Sequence, residues 1–155
     1  MKYVLLIYLF ILSGCSIKEY QHTQSKIIII KSPKLKFADV GYLRNSHKAI
    51  ELELFMAGKS IKKIAINHLI CVDEGCMSKG SFNEQYLVES YPNDLMQNLL
   101  LAKPIYNAKN LTYTETGFIQ KIVTKDVAIS YRVDQKSIFF KDAKNKIIFK
   151  FKDIK

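Results

Sequence analysis

The chain has 155 residues, 48% of them hydrophobic, and carries 24 Lys and Arg against 14 Asp and Glu for a formal net charge of +10. That length suits one domain with a sizeable apolar core, and neither a repeat array nor a second domain is legible. The positive charge is spread as single lysines, Lys121, Lys125, Lys136, Lys141, Lys150 and Lys152, with no recognised nucleic-acid-binding motif, so no nucleic acid partner is expected. Such a spread fits a solvated strand face, or a surface drawn to anionic lipid headgroups at about 1 kcal/mol per basic residue.

The chain starts with one cation, Lys2, and an apolar run from Tyr3 to Leu12. The run is too short to span a bilayer, which needs ~20 apolar residues. A cation, a short apolar run and small residues at a cleavage point are the layout of a secretory signal. Here the run ends in Leu12-Ser13-Gly14-Cys15, the lipobox pattern of bacterial lipoproteins. Residues 1–14 are therefore read as a lipoprotein signal peptide and Cys15 as the lipidated first residue of the mature chain. The alternative is an ordinary signal with a chance cysteine. Two or three acyl chains on Cys15 anchor stably where one would not. Ser16, rather than Asp, follows the cysteine, which in enterobacteria permits transfer to the outer membrane. The expected location is thus the outer membrane, lipid-anchored and facing the periplasm. Loss of Lys2 lowers the net charge from +10 to +9.

Residues 15–25 are polar at their start and lack periodicity, and read as a lipidated flexible tether. Residues 26–155 read as a single β-rich globular domain. Lys26 to Lys31, KIIIIK, suits a strand buried on both faces or covering a sheet edge. Residues 34–43 also look extended, with Gly41 as a bulge candidate. In AIELELF, Ile50, Leu52 and Leu54 share one face while Glu51 and Glu53 share the other. A turn at Met56-Ala57-Gly58-Lys59 precedes a return strand from Ile61 to Leu69, with Ile64 and Ile66 facing inward.

Cys71 and Cys76 flank a turn signal at Asp73-Glu74-Gly75. An even pair in an oxidising, exported compartment reads as a disulfide closing a small hairpin. The other readings are free thiols, or a metal site that adds His68. The spacing fits no zinc template, and structural zinc takes four ligands.

The period then changes from two to helical. Ser81 and Glu84 have the spacing of a capping box, and Phe82 and Tyr86 lie four apart on one helical face. DLMQNLLLAK, up to Pro104, reads as a second helix with Leu95, Met96, Leu99 and Leu100 on a broad apolar face. It is apolar enough to be buried or to plug a cavity. Four alternating runs follow: GFIQKIVT, VAISYRVD, SIFFKDA and KIIFKFKDI. They read as an antiparallel meander with one apolar and one wet face. The expected fold is α+β: a single curved antiparallel β-sheet, an open half-barrel, with two helices on its concave face.

This order of elements resembles the LolB family of outer-membrane lipoprotein receptors, which take lipoproteins from the periplasmic carrier LolA. The resemblance covers residues 34–153. ELELFMAGKSIKKIAI is similar to the family's strand, protruding loop and return strand. YPNDLMQNLLLAKP is similar to its apolar helix bounded by prolines. GFIQKI and VAISYRV are similar to the strands that follow, and KIIFKFKDI sits where the family ends. The chain departs from the family in having no Trp, in its Cys pair and in shorter late hairpins. The resemblance implies an apolar concavity that takes the acyl chains of incoming lipoproteins. Its expected lining is Leu52, Leu54, Ile64, Ile66, Leu95, Met96, Leu99, Ile129, Tyr131 and Phe149. It also implies a membrane-contact loop at Met56, with Phe55 beside it. The alternative is a non-enzymatic structural or assembly lipoprotein of the cell envelope with a filled core. No catalytic residue, metal site or cofactor is expected, because no phosphate loop, HExxH or GxSxG string occurs.

Overall fold

The computed structural model describes residues 20–73 and 75–154. The signal peptide read over residues 1–14, the lipidation site Cys15 and tether residues 16–19 lie outside the described residues. Six strands come first: β1 (His22–Lys31), β2 (Lys36–Asn45), β3 (Ile50–Met56), β4 (Lys59–Ile66), β5 (Ile70–Val72) and β6 (Gly75–Met77). A crossover follows, with α1 (Lys79–Tyr86), α2 (Leu95–Leu100) and a short turn at Tyr106–Ala108. Five strands complete the chain: β7 (Leu111–Thr114), β8 (Gly117–Val123), β9 (Ala128–Asp134), β10 (Ser137–Asp142) and β11 (Ile147–Asp153). They form one antiparallel sheet in the order β6-β5-β4-β3-β2-β1-β11-β10-β9-β8-β7. The sheet does not close, and β6 and β7 are its edges.

Period-two alternation sets the two faces. β9 buries Ile129, Tyr131 and Val133 and exposes Arg132. β11 buries Ile147, Phe149 and Phe151 and exposes Lys150 and Lys152. β3 places Leu52 and Leu54 on the inner face and Glu51 and Glu53 on the outer one. There Arg44 pairs with both carboxylates, at 3.0 and 2.6 Å.

Three readings of the early strands need correction. β1 is the central strand, between β2 and β11, rather than an edge or a doubly buried strand. Ile28 and Ile30 are buried, but Ile27 and Ile29 are 43% and 37% exposed; an unbroken isoleucine run conceals that alternation. β1 also begins at His22, so residues 22–25 belong to the sheet and not to the tether. Their backbone pairs with β2, from His22 opposite Asn45 to Ser25 opposite Tyr42. Such pairing needs no apolar side chains. Gly41, finally, sits in regular register opposite Lys26 and Leu54. A Cβ there would lie 2.5 Å from Ile28 Cδ1 and 2.7 Å from the Glu53 carbonyl oxygen, so glycine permits a close approach. The bulge lies instead between Leu54 and Phe55 on β3, with Ile61 as the extra residue on β4.

The helices also start and stop differently from the sequence reading. Ser78, one turn before Ser81, is the N-cap of α1, and its hydroxyl accepts the Ser81 amide at 3.0 Å. Phe82 and Tyr86 stack with ring centroids 4.9 Å apart, as their spacing predicts. α2 stops before reaching Pro104 because Ala102 takes a left-handed φ of 53°. The Lys103 amide then donates to the Asn98 carbonyl at 2.9 Å, and the Ala102 amide to Leu99 at 3.2 Å. This is a Schellman closure with alanine where glycine is usual. Leu95, Met96, Leu99 and Leu100 of α2 share one apolar cluster with the inner face of the sheet.

Replacing Ala102 by Gly is expected to relieve that left-handed strain and stabilise the fold by about 0.5–1 kcal/mol, or roughly 2–4 °C in thermal midpoint. A calorimetric scan checks it, and an unchanged or lower midpoint would show that Ala102 holds no strain.

Candidate functional site

The ten side chains expected to line a concavity do meet. Leu52 and Leu54 come from β3, Ile64 and Ile66 from β4, Leu95, Met96 and Leu99 from α2, Ile129 and Tyr131 from β9, and Phe149 from β11. All lie in one cluster, and none is more than 3% exposed. Leu95, Met96, Leu99 and Leu100 of α2 are buried among the inward side chains of the sheet. A chain of aromatic rings runs through the same cluster: Phe118 against Tyr131, Tyr131 against Phe140, and Phe140 against Phe149, with centroids 5.5–6.3 Å apart. Phe140 and Phe118 were not singled out from the sequence, although the alternation of SIFFKD marks Phe140 as inward.

Polar concavities flank this cluster at one end of the sheet. One of about 380 Å³ is lined by Asn45, His47, Ile66, Gln97, Leu101 and Lys103 among others. A second, of about 280 Å³, shares Asn45 and Leu101 and reaches Leu43, Leu100 and Ile138. Lys26 is buried at its rim, paired with Asp153. The C-terminal end of α2 thus lies between water and the apolar interior.

Two buried polar residues hold the crossover against the sheet. Gln120 is fully buried on β8. Its Oε1 accepts the Ile105 amide at 2.9 Å, and its Nε2 donates to the Ile105 and Lys109 carbonyls at 3.0 and 2.8 Å. Between those carbonyls lie Tyr106, Asn107 and Ala108, all in the left-handed region at φ 49°, 52° and 60°. Three such residues cost about 1 kcal/mol or more each, and the Gln120 amide offsets part of that. Tyr131 adds a further tie, donating to the Lys103 carbonyl at 3.0 Å.

Asp142, at the end of β10, is the second anchor and is also fully buried. It accepts from the Tyr91 hydroxyl at 2.7 Å, from the amides of Ala128, Lys144 and Asn145, and from Asn145 Nδ2. Burial pushes its pKa upward, but the bonds from Asn145, Tyr91 and the backbone amides outweigh burial and hold the carboxyl below its ordinary range. Burial, and then the bond to Asp142, drive the Tyr91 hydroxyl well above its ordinary range. Sequence reasoning missed Gln120 and Asp142 as anchors; a polar residue at an inward position of an alternating strand was the available signal.

The β3–β4 hairpin closes through Ala57 and Gly58, both at positive φ, 49° and 77°. Two successive left-handed residues make the tight turn that suits twisted strands. They set Met56 at the tip, 55% exposed. Phe55 lies elsewhere: it is half-buried on the outer face, edge-on to Tyr42 with centroids 5.3 Å apart. Met56, not Phe55, is therefore the exposed apolar residue of the loop.

Cys71 and Cys76 lie directly opposite each other on β5 and β6 and form a disulfide. Their sulfurs are thereby unavailable as metal ligands. The bond staples the shortest hairpin, at one edge of the sheet.

Comparison of the chain with family profiles, with curated proteins and with solved structures gave no match.

The depressed Asp142 carboxyl supplies stability that is fully present above its unfolded pKa of about 3.9 and is lost as pH falls through the lower folded value. Glu53, Asp73 and Asp134 are also held low, so the difference between two curves isolates Asp142. Urea titrations of Asp142→Ala should show a loss of about 3 kcal/mol at pH 7 that narrows below about pH 4. A variant as stable as the parent at pH 7 would rule out Asp142 as an anchor.

Proposed function

We propose that this chain is a LolB-like, lipid-anchored outer-membrane lipoprotein that receives other lipoproteins by their acyl chains and helps deliver them to the outer membrane. On this reading the sheet is an open half-barrel, α1 and α2 lie on its concave face, and Cys15 carries the anchor. The partners are a periplasmic lipoprotein carrier and the acyl chains of its cargo; the step is binding and transfer, with no reaction. The observation that carries the proposal is Met56. An exposed thioether side chain stands at the tip of a tight hairpin, at the position where the resemblance requires a membrane-contact residue. An antiparallel sheet with one mainly apolar face, whose inward side chains cluster with the leucines of α2, supports it further. The concavities at the Asn45 end open beside Leu100 and Leu101, next to that face.

One observation favours a second reading, a structural or assembly lipoprotein of the envelope. The ten expected lining residues pack into a covered cluster, as a filled core would. The two readings part on whether α2 leaves the inner face when an acyl chain is offered.

Met56→Glu is expected to fold normally, because the side chain is exposed, yet to impair delivery. In cells with this variant as the sole copy, other outer-membrane lipoproteins should accumulate in the periplasm bound to their carrier, as they should on depletion of the parent chain. Normal delivery in the variant removes the role of the hairpin tip; normal delivery on depletion removes the receptor reading altogether. Cys15→Ala should yield a periplasmic chain without acyl groups, followed by fractionation and mass spectrometry. Membrane attachment through an acylated residue in that variant would overturn the lipobox reading.

A further inference from the structure

We propose that the outer face of the sheet, from β8 across to β2, docks flat on an anionic lipid bilayer surface. The cross-strand registers lay this face out in rows. One row runs Ile119, Arg132, Phe139, Lys150, Ile29, Ala38. The next runs Lys121, Ser130, Lys141, Ile148, Lys31, Lys36. On the other side of the first row, Ser137, Lys152, Ile27 and Val40 stand side by side. Cations and apolar side chains are interspersed over the three rows.

Seven of these residues are cationic and exposed: Lys31, Lys36, Lys121, Arg132, Lys141, Lys150 and Lys152. Among the described residues none of the seven is in an ion pair. Asp134, at the margin, is turned onto Ser137 and the Lys136 amide. The outer carboxylates Glu51 and Glu53 are already taken by Arg44 and Lys63. Asp134 keeps its charge and lies near Arg132, yet the face carries a large net excess of positive charge.

Charge alone would suit many acidic partners. The apolar component selects the bilayer. Ile27, Ile29, Val40 and Tyr42 are all exposed on the outer face, and Phe139 and Ile148 are half-buried between lysines. Directly paired side chains have Cβ atoms about 4.5–5.5 Å apart. The aliphatic stem of Lys150 can therefore lie along Phe139 and Ile29 while its ammonium reaches outward. With the lysine stems laid flat along the face, Ile27 and Ile29 stand as far out as the ammoniums, so headgroup phosphates and the acyl carbon below them can both be met.

The chain enters the fold beside this face, on the outer side of β3. The Tyr20 hydroxyl donates to Glu51 Oε2 at 2.8 Å. Burial first, and then Glu51, push its pKa up to about 12. On the lipoprotein reading, the acylated Cys15 lies five residues before Tyr20, a reach of about 17 Å when extended. A short leash from the outer face holds that face against the membrane. The vesicle test below does not depend on acylation, so it can fail without affecting the lipoprotein reading, and the reverse.

The Cys15→Ala chain is mixed with sedimentable vesicles, either phosphatidylcholine alone or an equal mixture with phosphatidylglycerol. The apolar leader carries the amino terminus and Lys2 and binds both vesicle types, so each variant is compared with the parent Cys15→Ala chain, in which that contribution is the same. Stronger binding to the mixed vesicles is expected, weakening as salt is added. A double variant, Lys150→Gln with Lys152→Gln, should bind the mixed vesicles roughly 25-fold more weakly, about fivefold per residue. Ile27→Asn with Ile29→Asn should weaken binding at least about fivefold. All four positions are exposed, and matching thermal melts confirm that the variants fold. Equal binding to both vesicle types overturns the proposal, as does an unaffected lysine variant. An unaffected isoleucine variant overturns it too, since the face would then be purely electrostatic. Equally tight binding of soluble polyglutamate would point to an acidic protein partner and would also overturn it.

Discussion

The pairing of β1 with β11 constrains the rest of the molecule. It joins the first and last described strands at the centre of the sheet, from Lys26 opposite Asp153 to Lys31 opposite Ile148. Each half of the chain then builds outward by hairpins, which leaves β6 and β7 at opposite edges. The segment between them, residues 78–110, has to travel from one edge to the other. It is tied to β8 through Gln120 and to β10 through Asp142, and the apolar residues of α2 join the cluster of the sheet's inward side chains. The burial of Leu95, Met96, Leu99 and Leu100 is thus a consequence of topology as well as of composition. Gln120 does for the polar backbone of the crossover what the leucines do for its side chains, and Asp142 does the same for the Tyr91 hydroxyl. They supply partners where water is excluded, and a buried amide or carbonyl without a partner would cost about 1–3 kcal/mol.

Much of this was legible where one face of a strand is wet and the other dry. The alternation of β8 to β11 declared both the strands and their inward residues. The two cysteines, on either side of a turn signal, pointed to the bond they form. Legibility failed where the physical cause lies outside the local pattern. Ile27 to Ile30 carry no polar alternation, so nothing in the run says which isoleucines face out. Gly41 is glycine because Ile28 and the Glu53 backbone approach it, and neither is near in sequence. Ala102 ends α2 through backbone hydrogen bonds that its side chain does not advertise. Ser78 caps α1 because β6 ends just before it, one turn ahead of the Ser81–Glu84 spacing. The candidate site divides in the same way. Its ten apolar residues could be chosen from the pattern, whereas a covered face and an open one are written with the same letters.

The covered face sets an energetic condition on any lipid-handling role. To expose the inner face, α2 has to withdraw four buried apolar side chains, at about 1.5–3 kcal/mol each, or roughly 6–12 kcal/mol. An acyl chain of ordinary length returns about 0.8 kcal/mol per buried methylene, or roughly 12 kcal/mol for fifteen of them. Counted from water, the chain's burial matches or exceeds that cost by up to about 6 kcal/mol, so one acyl chain can displace one helix face. A face left permanently open would hold water against Leu52, Tyr131 and Phe149, and a deeper apolar seal would never yield to a ligand. On the proposed reading, then, the covering of the inner face by α2 is compatible with binding: the helix holds the place of the chain, and the bilayer under the outer face is where that chain goes next.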